Sequence, residues 1–570
     1  MVSPTNVPPS SRLTIGKLIR LLAPTTLPKR QKNLCQWPPD AFAIAAYLLN
    51  SSGVYQRVIC NNWWTSVDPR HPSALIALGK DWRACAAGGR AAPMQVRRKW
   101  ELLLGARSKR VHDLEKNREL SRALFDIVAA ADEACIGMGL PTPGVRRNDP
   151  EHALYARANE LLSRGPLSDG ASSLCDRVDS ELVSVLPKLH TPQVGLTFRS
   201  LTHHLALCPK DEVVPVWNRV FSALTQREED RLNLLLMPHP HSVDAVHFQA
   251  VAGDRCGRHR MPPNFASFEY KVPDNKKWIR DEFPLVLQEA VRLAPGKKIH
   301  GVVFPELSLR TESELVEAYK KIAAVSSEAF LVAGVSERFG DRDQRESFNT
   351  AQFVVPMRKG EIFVCRQMKH HRWRVDAGQI KAYGLENQLE TGKIWWENIG
   401  VADRELSVFA LKRCLTFSLL VCEDLARQEP VSRLVRAIGP HLLITLLMDG
   451  PQLRHRWSGR YVTVFGEDPG CSVLTLTSRG MVDLSNKALG KRPKASNIAL
   501  WRDSINPQIV HEISIRDRAG GVILSLTNRT VTEHSADGRS HAAVCALELA
   551  DSKRDVIQVS VKKRPLGKRS

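Results

Sequence analysis

Long hydrophobic runs are missing from this 570-residue chain. The densest apolar run near its end, residues 442–448, is far short of the roughly 20 residues that span a bilayer, so no membrane span is expected. No continuous apolar segment opens the sequence, and no secretory leader is expected. Acid is missing from the first 39 residues, which hold six Lys/Arg before Asp40 appears. That pattern reads as a flexible basic lead-in over residues 1–36, with an organellar transit segment as the alternative. Cysteine pairs are missing too. Twelve cysteines stand at 35, 60, 85, 135, 175, 208, 256, 365, 414, 422, 471 and 545, with no C-x-x-C among them. Zinc-ligand spacing is therefore absent, and reduced thiols in a cytoplasmic protein are expected. Gly88-Gly89 has no Lys-Ser/Thr behind it and makes no phosphate-binding loop.

The charge is one-sided. Formal net charge is +21, and residues 1–100 carry 14 Lys/Arg against 3 Asp/Glu. Such a field favours polyanionic partners. No arginine run interleaved with aromatics, no RNP-like motif and no zinc finger accompanies it. Nucleic-acid contact through the basic N-terminal region stays open as an expectation.

A composition of 43% hydrophobic and 25% charged residues is that of a soluble globular protein, and the length suggests two or three domains. Apolar residues recur at helical spacing between 40 and 53 and between 94 and 136. Further helices are predicted over 152–164, 176–186 and 195–207, so residues 37–225 are expected to form an α-helical domain. Beyond residue 230 the texture changes to α/β. Strands are predicted at 232–237, 299–304, 330–335, 351–356, 361–365, 415–421, 442–447 and 471–476, with helices at 284–293 and 315–324. Arg358-Lys359-Gly360 reads as a hairpin turn. Strands at 522–526, 531–535 and 542–549 surround the turn signal Asp537-Gly538. Residues 551–570 read as a basic tail.

Three apolar strands stop at a reactive side chain. Gly301-Val302-Val303-Phe304-Pro305 ends at Glu306. The second hairpin strand ends in Gln367-Met368-Lys369. Phe417-Ser418-Leu419-Leu420-Val421 ends at Cys422, followed by Glu423-Asp424. Taken singly, each has a plain reading: a solvated glutamate, a surface lysine, an inert core thiol. Asp424 has one as well, the cap of a following helix.

In that order, the three resemble the nitrilase superfamily of carbon–nitrogen hydrolases, over roughly residues 231–515. Residues 331–335, 349–360, 438–444 and 475–478 resemble the family's flanking elements, and Arg456, Trp457 and Arg460 its following helix. Val421-Cys422-Glu423-Asp424-Leu425 is also like the glutaminase domains of NAD synthetases. The resemblance implies a four-layer α-β-β-α sandwich over residues 231–550, preceded by a separate helical domain. It also implies Cys422 as nucleophile, Glu306 as general base, and Lys369 with the Glu423 backbone N–H as oxyanion donors. A non-peptide C–N bond (amide, nitrile or carbamoyl) would be cleaved through a thioester or thioimidate, with no metal or organic cofactor. Many members use a second glutamate between the lysine and the cysteine. Glu386 and Glu397 are both available, with Glu397 placed slightly lower because Trp395 and Trp396 beside it suggest a packed wall. A homodimer is expected. The competing expectation is a weakly catalytic sensor module whose helical domain recruits a partner. His239, His241, His247, Cys256 and His259 form a histidine-rich stretch better read as loop residues than metal ligands, and His203-His204 as packing or surface.

Overall fold

The computed structural model describes residues 13–24, 31–59, 71–141, 149–163, 171–220, 230–251, 262–339, 346–357, 361–401, 404–490, 494–506 and 508–561. Its architecture is mixed α/β, built on two large sheets. The first has eight strands. Its order runs Ile362–Met368, Glu346–Pro356, Phe330–Phe339, Gly301–Val303, Arg231–Leu236, Gly521–His534, Ser540–Glu548, and Val556–Val559 also pairs with Gly521–His534. The second has seven, in the order His511–Ser514, Asn497–Arg502, Ser472–Thr477, Leu442–Leu447, Leu415–Val421, Glu405–Lys412, Val214–Arg219. Leu415–Val421, Leu442–Leu447 and Ser472–Thr477 run parallel and are buried along their whole length. The polar residues within them, such as Thr416, Ser418, Thr445 and Thr475, are therefore buried as well.

One apolar core holds side chains from both sheets, among them Val303, Phe353, Phe417 and Ile444. The rings of Phe353 and Phe417 meet across it, with centroids 5.0 Å apart. A second core places the helices Phe283–Leu293 and Glu312–Val325 against Val302, Leu331 and Ile523 of the eight-stranded sheet. A third core unites the helices Ser432–Ile438 and Trp457–Glu467 with the N-terminal helices.

The N-terminal region departs from expectation in three ways. The expected lead-in contains a helix, Ile15–Leu22, capped by the Thr14 hydroxyl, with Ile15, Leu18, Ile19 and Leu22 buried. Their spacing is an ordinary helical stripe, masked in the sequence by the basic residues between them. The helices predicted at 176–186 and 195–207 are instead the strand Val183–Pro187, the short turn Phe198–Leu201 and the strand Leu205–Pro209. Val183 and Val185 are β-branched and favour a strand. Residues 37–225 are also not separate. The strand Val214–Arg219 completes the edge of the seven-stranded sheet, parallel to Glu405–Lys412, and the N-terminal core runs on into Leu434, Val462 and Phe465.

Elsewhere, the helix His71–Ala87 lies in a stretch where no period is legible in the sequence. The two strands predicted at 522–526 and 531–535 are one, Gly521–His534, hairpinned to Ser540–Glu548 with Gly538 at φ 88°. The expected tail contributes Val556–Val559 to the first sheet, and residues 562–570 lie outside the described residues. So does the predicted turn at 358–360. One cysteine pair corrects the expectation of reduced thiols: Cys414 and Cys545 form a disulfide, with Cα atoms 5.2 Å apart. Their sequence separation of 131 residues leaves no local motif. No described helix is long and apolar enough to cross a membrane.

Candidate active site

Glu306 stands three residues beyond the strand Gly301–Val303, in a turn that doubles back on the neighbouring strand. Gly334 on that strand donates its N–H to Pro305 O at 3.1 Å and accepts from Ser308 N at 3.0 Å. The approach is so close that a Cβ at Gly334 would lie 2.5 Å from the Glu306 Cα. Only glycine fits there. Leu307, next to Glu306, holds φ 51°, a left-handed conformation unfavourable for a branched side chain.

Lys369 follows the strand Ile362–Met368, and its backbone N–H donates to Asn349 O at 3.0 Å. Its ammonium is buried and lies between two carboxylates: 2.8 Å from Glu306 Oε1 and 2.7 Å from Glu397 Oε2. Asn349 ties the same two together, its side-chain amide donating to Glu306 Oε1 at 2.7 Å and Glu397 Oε1 at 2.9 Å. Glu306 Oε2 is buried and has no hydrogen-bond partner among the described residues.

Cys422 follows the strand Leu415–Val421 and opens the short turn Cys422–Leu425. It holds φ 46°, the second strained non-glycine residue of the site. Its thiol is close enough to Glu306 and Lys369 for both charges to act on its ionisation.

Charges at the site oppose one another. Burial pushes the Cys422 thiol well above its ordinary range; the Glu306 carboxylate adds to the rise, and Lys369 works against it. Burial also raises the Glu306 carboxyl, again against the pull of Lys369. Lys369 is held well above its ordinary range: burial opposes the charge, and Glu306 and Glu397 outweigh burial. The resting state is thus a protonated thiol beside a lysine cation, with a carboxyl that takes up a proton more readily than an ordinary glutamate.

The two possible second glutamates part company. Glu397 ends the strand Ile394–Glu397, is buried, and receives Lys369, Asn349 and the Trp373 N–H. Glu386 is exposed. Asp424 is not a cap for a following helix: it accepts the His370 N–H at 3.1 Å and lies 2.8 Å from His371 Nδ1, fixing the chain just after Lys369. Sequence reasoning did not place Asn349 or Asp424 among the contacts of this cluster. An asparagine within an apolar strand and an aspartate directly behind the cysteine strand are the available signals.

The Glu423 side chain pairs with Arg427, and its backbone N–H lies in the first turn after Cys422, where helical N–H groups lack intrahelical acceptors. His239 stacks on Trp278 and bonds Asn275, whereas Cys256 and His259 lie outside the described residues. His203 and His204 are buried, and their backbone N–H groups donate to Asp132.

No protein-family model matches the chain, and no curated relative does. Among solved structures it is similar to Nit3 of Saccharomyces cerevisiae, a member of branch 10 of the nitrilase superfamily. Identity there is 11%, covering 61% of this chain and 99% of that one, at a TM-score of 0.29. It is also similar to XC1258 of Xanthomonas campestris, a CN-hydrolase superfamily protein, at 14% identity over 44% of this chain and 77% of that one, with a TM-score of 0.25. A glutamine-dependent NAD(+) synthetase from Cytophaga hutchinsonii matches at 9% identity over 48% and 38%, with a TM-score of 0.24. Likenesses of this size assign no chemistry to the chain.

Proposed function

We propose that the chain is a thiol hydrolase that cleaves a non-peptide carbon–nitrogen bond, with Cys422 as nucleophile. One observation carries the reading: a buried lysine cation shared by Glu306 and Glu397, beside a cysteine in a strained strand-end conformation. Amides and nitriles are weak electrophiles and call for a thiolate, yet the buried thiol rests protonated. A base must therefore act at the moment of attack, and the unpartnered Glu306 Oε2 is free to do so.

With an amide substrate, Glu306 takes the thiol proton as sulfur bonds the carbonyl carbon. The oxygen that becomes negative is met by the Lys369 ammonium and the Glu423 backbone N–H. The C–N bond then breaks, and the nitrogen leaves with the proton from Glu306, leaving a thioester on Cys422. Water gives a proton to Glu306 and attacks the thioester. The C–S bond breaks and the sulfur recovers that proton. Glu397 keeps Lys369 cationic and in place throughout. Beyond the substrate and water, each of these steps uses only this chain's own groups.

The same reading implies a four-layer α-β-β-α sandwich, supported by the core shared between the sheets and by the helices against their outer faces. It also implies a two-fold homodimer, which a monomer mass by light scattering at micromolar concentration would contradict. The test of function is labelling by a thiol-directed probe, followed by screening of amides, nitriles and carbamoyl compounds against wild type and Cys422→Ala. Turnover that survives Cys422→Ala removes the proposal. Labelling of Cys422 with no turnover on any such compound would point to a ligand-sensing module instead.

A further inference from the structure

The long stretch between Lys369 and Cys422 folds back over the site as the strand Arg374–Val375, the helix Ala377–Tyr383 and the strand Ile394–Glu397. Its far end is tied to Lys369 through Glu397. A second tie lies at Tyr383. The Tyr383 hydroxyl donates to Asp449 Oδ1 at 2.5 Å and accepts from the Gly450 N–H at 3.3 Å. Asp449 also receives Arg456 Nη2 at 2.7 Å and the Trp457 indole N–H at 3.0 Å. Its own backbone is clamped by Thr477, which accepts from Asp449 N at 3.2 Å and donates to Asp449 O at 2.6 Å.

Asp449 lies just past the strand Leu442–Leu447, which runs parallel to Leu415–Val421 with Leu446 opposite Val421. Continued by one residue, this register sets Leu447 opposite Cys422, with Met448 next along the chain. The Met448 backbone N–H lies close enough to the Cys422 thiol to favour its anion. The Met448 side chain packs with Leu307, Trp373 and Tyr383 in one apolar cluster.

We infer that Tyr383 and Asp449 form a latch that holds the Met448 N–H on the Cys422 sulfur, which makes Tyr383 a positioning residue for the nucleophile. The inference rests on the hydrolase reading of the site. As the proton passes from Cys422 to Glu306, the negative charge that builds on the sulfur is met by Lys369 and by the Met448 N–H. Charge-assisted hydrogen bonds of this kind are among the stronger ones, and they depend on alignment. The tyrosine hydroxyl is neutral, so its removal loosens the 448–450 turn without altering the charge around the sulfur. The Asp449–Arg456 pair stays in place.

The test uses the full chain and site-resolved alkylation of Cys422 by iodoacetamide across pH, read by mass spectrometry with Cys365 as internal reference. Tyr383→Phe is expected to raise the Cys422 midpoint by about one pH unit, leaving Cys365 unmoved. Trp457→Phe removes the indole donor to Asp449, shifts the midpoint the same way, and serves if Tyr383→Phe does not fold. Lys369→Met reads the proposed site itself. A midpoint that rises in Lys369→Met but stays in place in both aromatic variants overturns the latch and leaves the hydrolase reading standing. A midpoint unmoved by Lys369→Met overturns the hydrolase reading. A Cys422 that resists the reagent at every pH in every variant contradicts both.

Discussion

Gly334→Ala is the sharpest test of how the site is built, because glycine there touches no substrate and carries no chemistry. A Cβ at Gly334 would meet Pro305 O at 2.4 Å, Glu306 Cα at 2.5 Å and Leu307 N at 2.5 Å. All three are backbone atoms, so no side chain can swing aside. Relief to ordinary contact distance needs about 1 Å of movement. The Gly334 side cannot move readily, since its strand is paired to Gly301–Val303 on one edge and Glu346–Pro356 on the other. The turn carrying Glu306 must give way. Its carboxylate would then lose contacts to Lys369 and Asn349 that stand at 2.8 and 2.7 Å. A displacement of about 1 Å in a reacting group costs about 100-fold in rate, and overpacking costs about 1–3 kcal/mol in stability. The assay is steady-state kcat on a substrate found by screening, beside thermal unfolding. Gly79→Ala is the control: its Cβ would lie 2.4 Å from Glu133 Cβ in the N-terminal core, so it should lose comparable stability and keep its kcat. A folded Gly334→Ala chain with wild-type kcat would refute the reasoning.

Glu397→Gln should lower kcat by orders of magnitude, whereas Glu386→Gln, at an exposed position, should leave it unchanged; the reverse result would reassign the second glutamate. The raised Glu306 carboxyl must be ionised to accept the thiol proton, so activity should fall on the acid side through a limb above the ordinary glutamate value of 4.5, seen in the pH profile of kcat/KM. Asp132 is buried, which opposes its ionisation, yet Arg539 and the nearby histidines hold its pKa at about 2 against an ordinary 3.8. A carboxylate lowered in this way contributes roughly 2 kcal/mol above pH 4 that is lost as pH falls toward 2, so Asp132→Asn should flatten the acid limb of the unfolding curve. The Cys414–Cys545 bridge closes a loop of 131 residues, and reductant or Cys545→Ser should lower unfolding stability by about 2–5 kcal/mol; equal denaturation curves with and without reductant would count against it.

The α/β half is legible in sequence because its central strands are largely apolar runs of strand length. The runs at 415–421 and 442–447 have the same bounds as the strands Leu415–Val421 and Leu442–Leu447. The N-terminal half is less legible because its elements depend on distant partners. Val214–Arg219 is a strand chiefly through its pairing with Glu405–Lys412, nearly two hundred residues on, and no local period announces that. The buried cluster of Asp132 and Arg539 is similar: Arg539 Nη1 reaches Asp132 Oδ2 at 3.0 Å across more than four hundred residues, so each looks in sequence like a solvated charge.

Glu397 shows where sequence reasoning stops within the site itself. In sequence, the paired tryptophans beside it argue for placing it below Glu386. In the strand Ile394–Glu397, burial alternates, with Trp395 and Glu397 buried and Ile394 and Trp396 partly exposed. The period of two therefore puts the carboxylate on the same inward face as Trp395, and the packed wall delivers the glutamate to the site rather than excluding it. A buried carboxylate needs a partner of opposite charge, and Lys369 is that partner at 2.7 Å. What the sequence could not supply is the register. Ile394–Glu397 pairs parallel with Phe265–Tyr270, from a segment more than a hundred residues earlier, and that pairing turns the strand end toward Lys369.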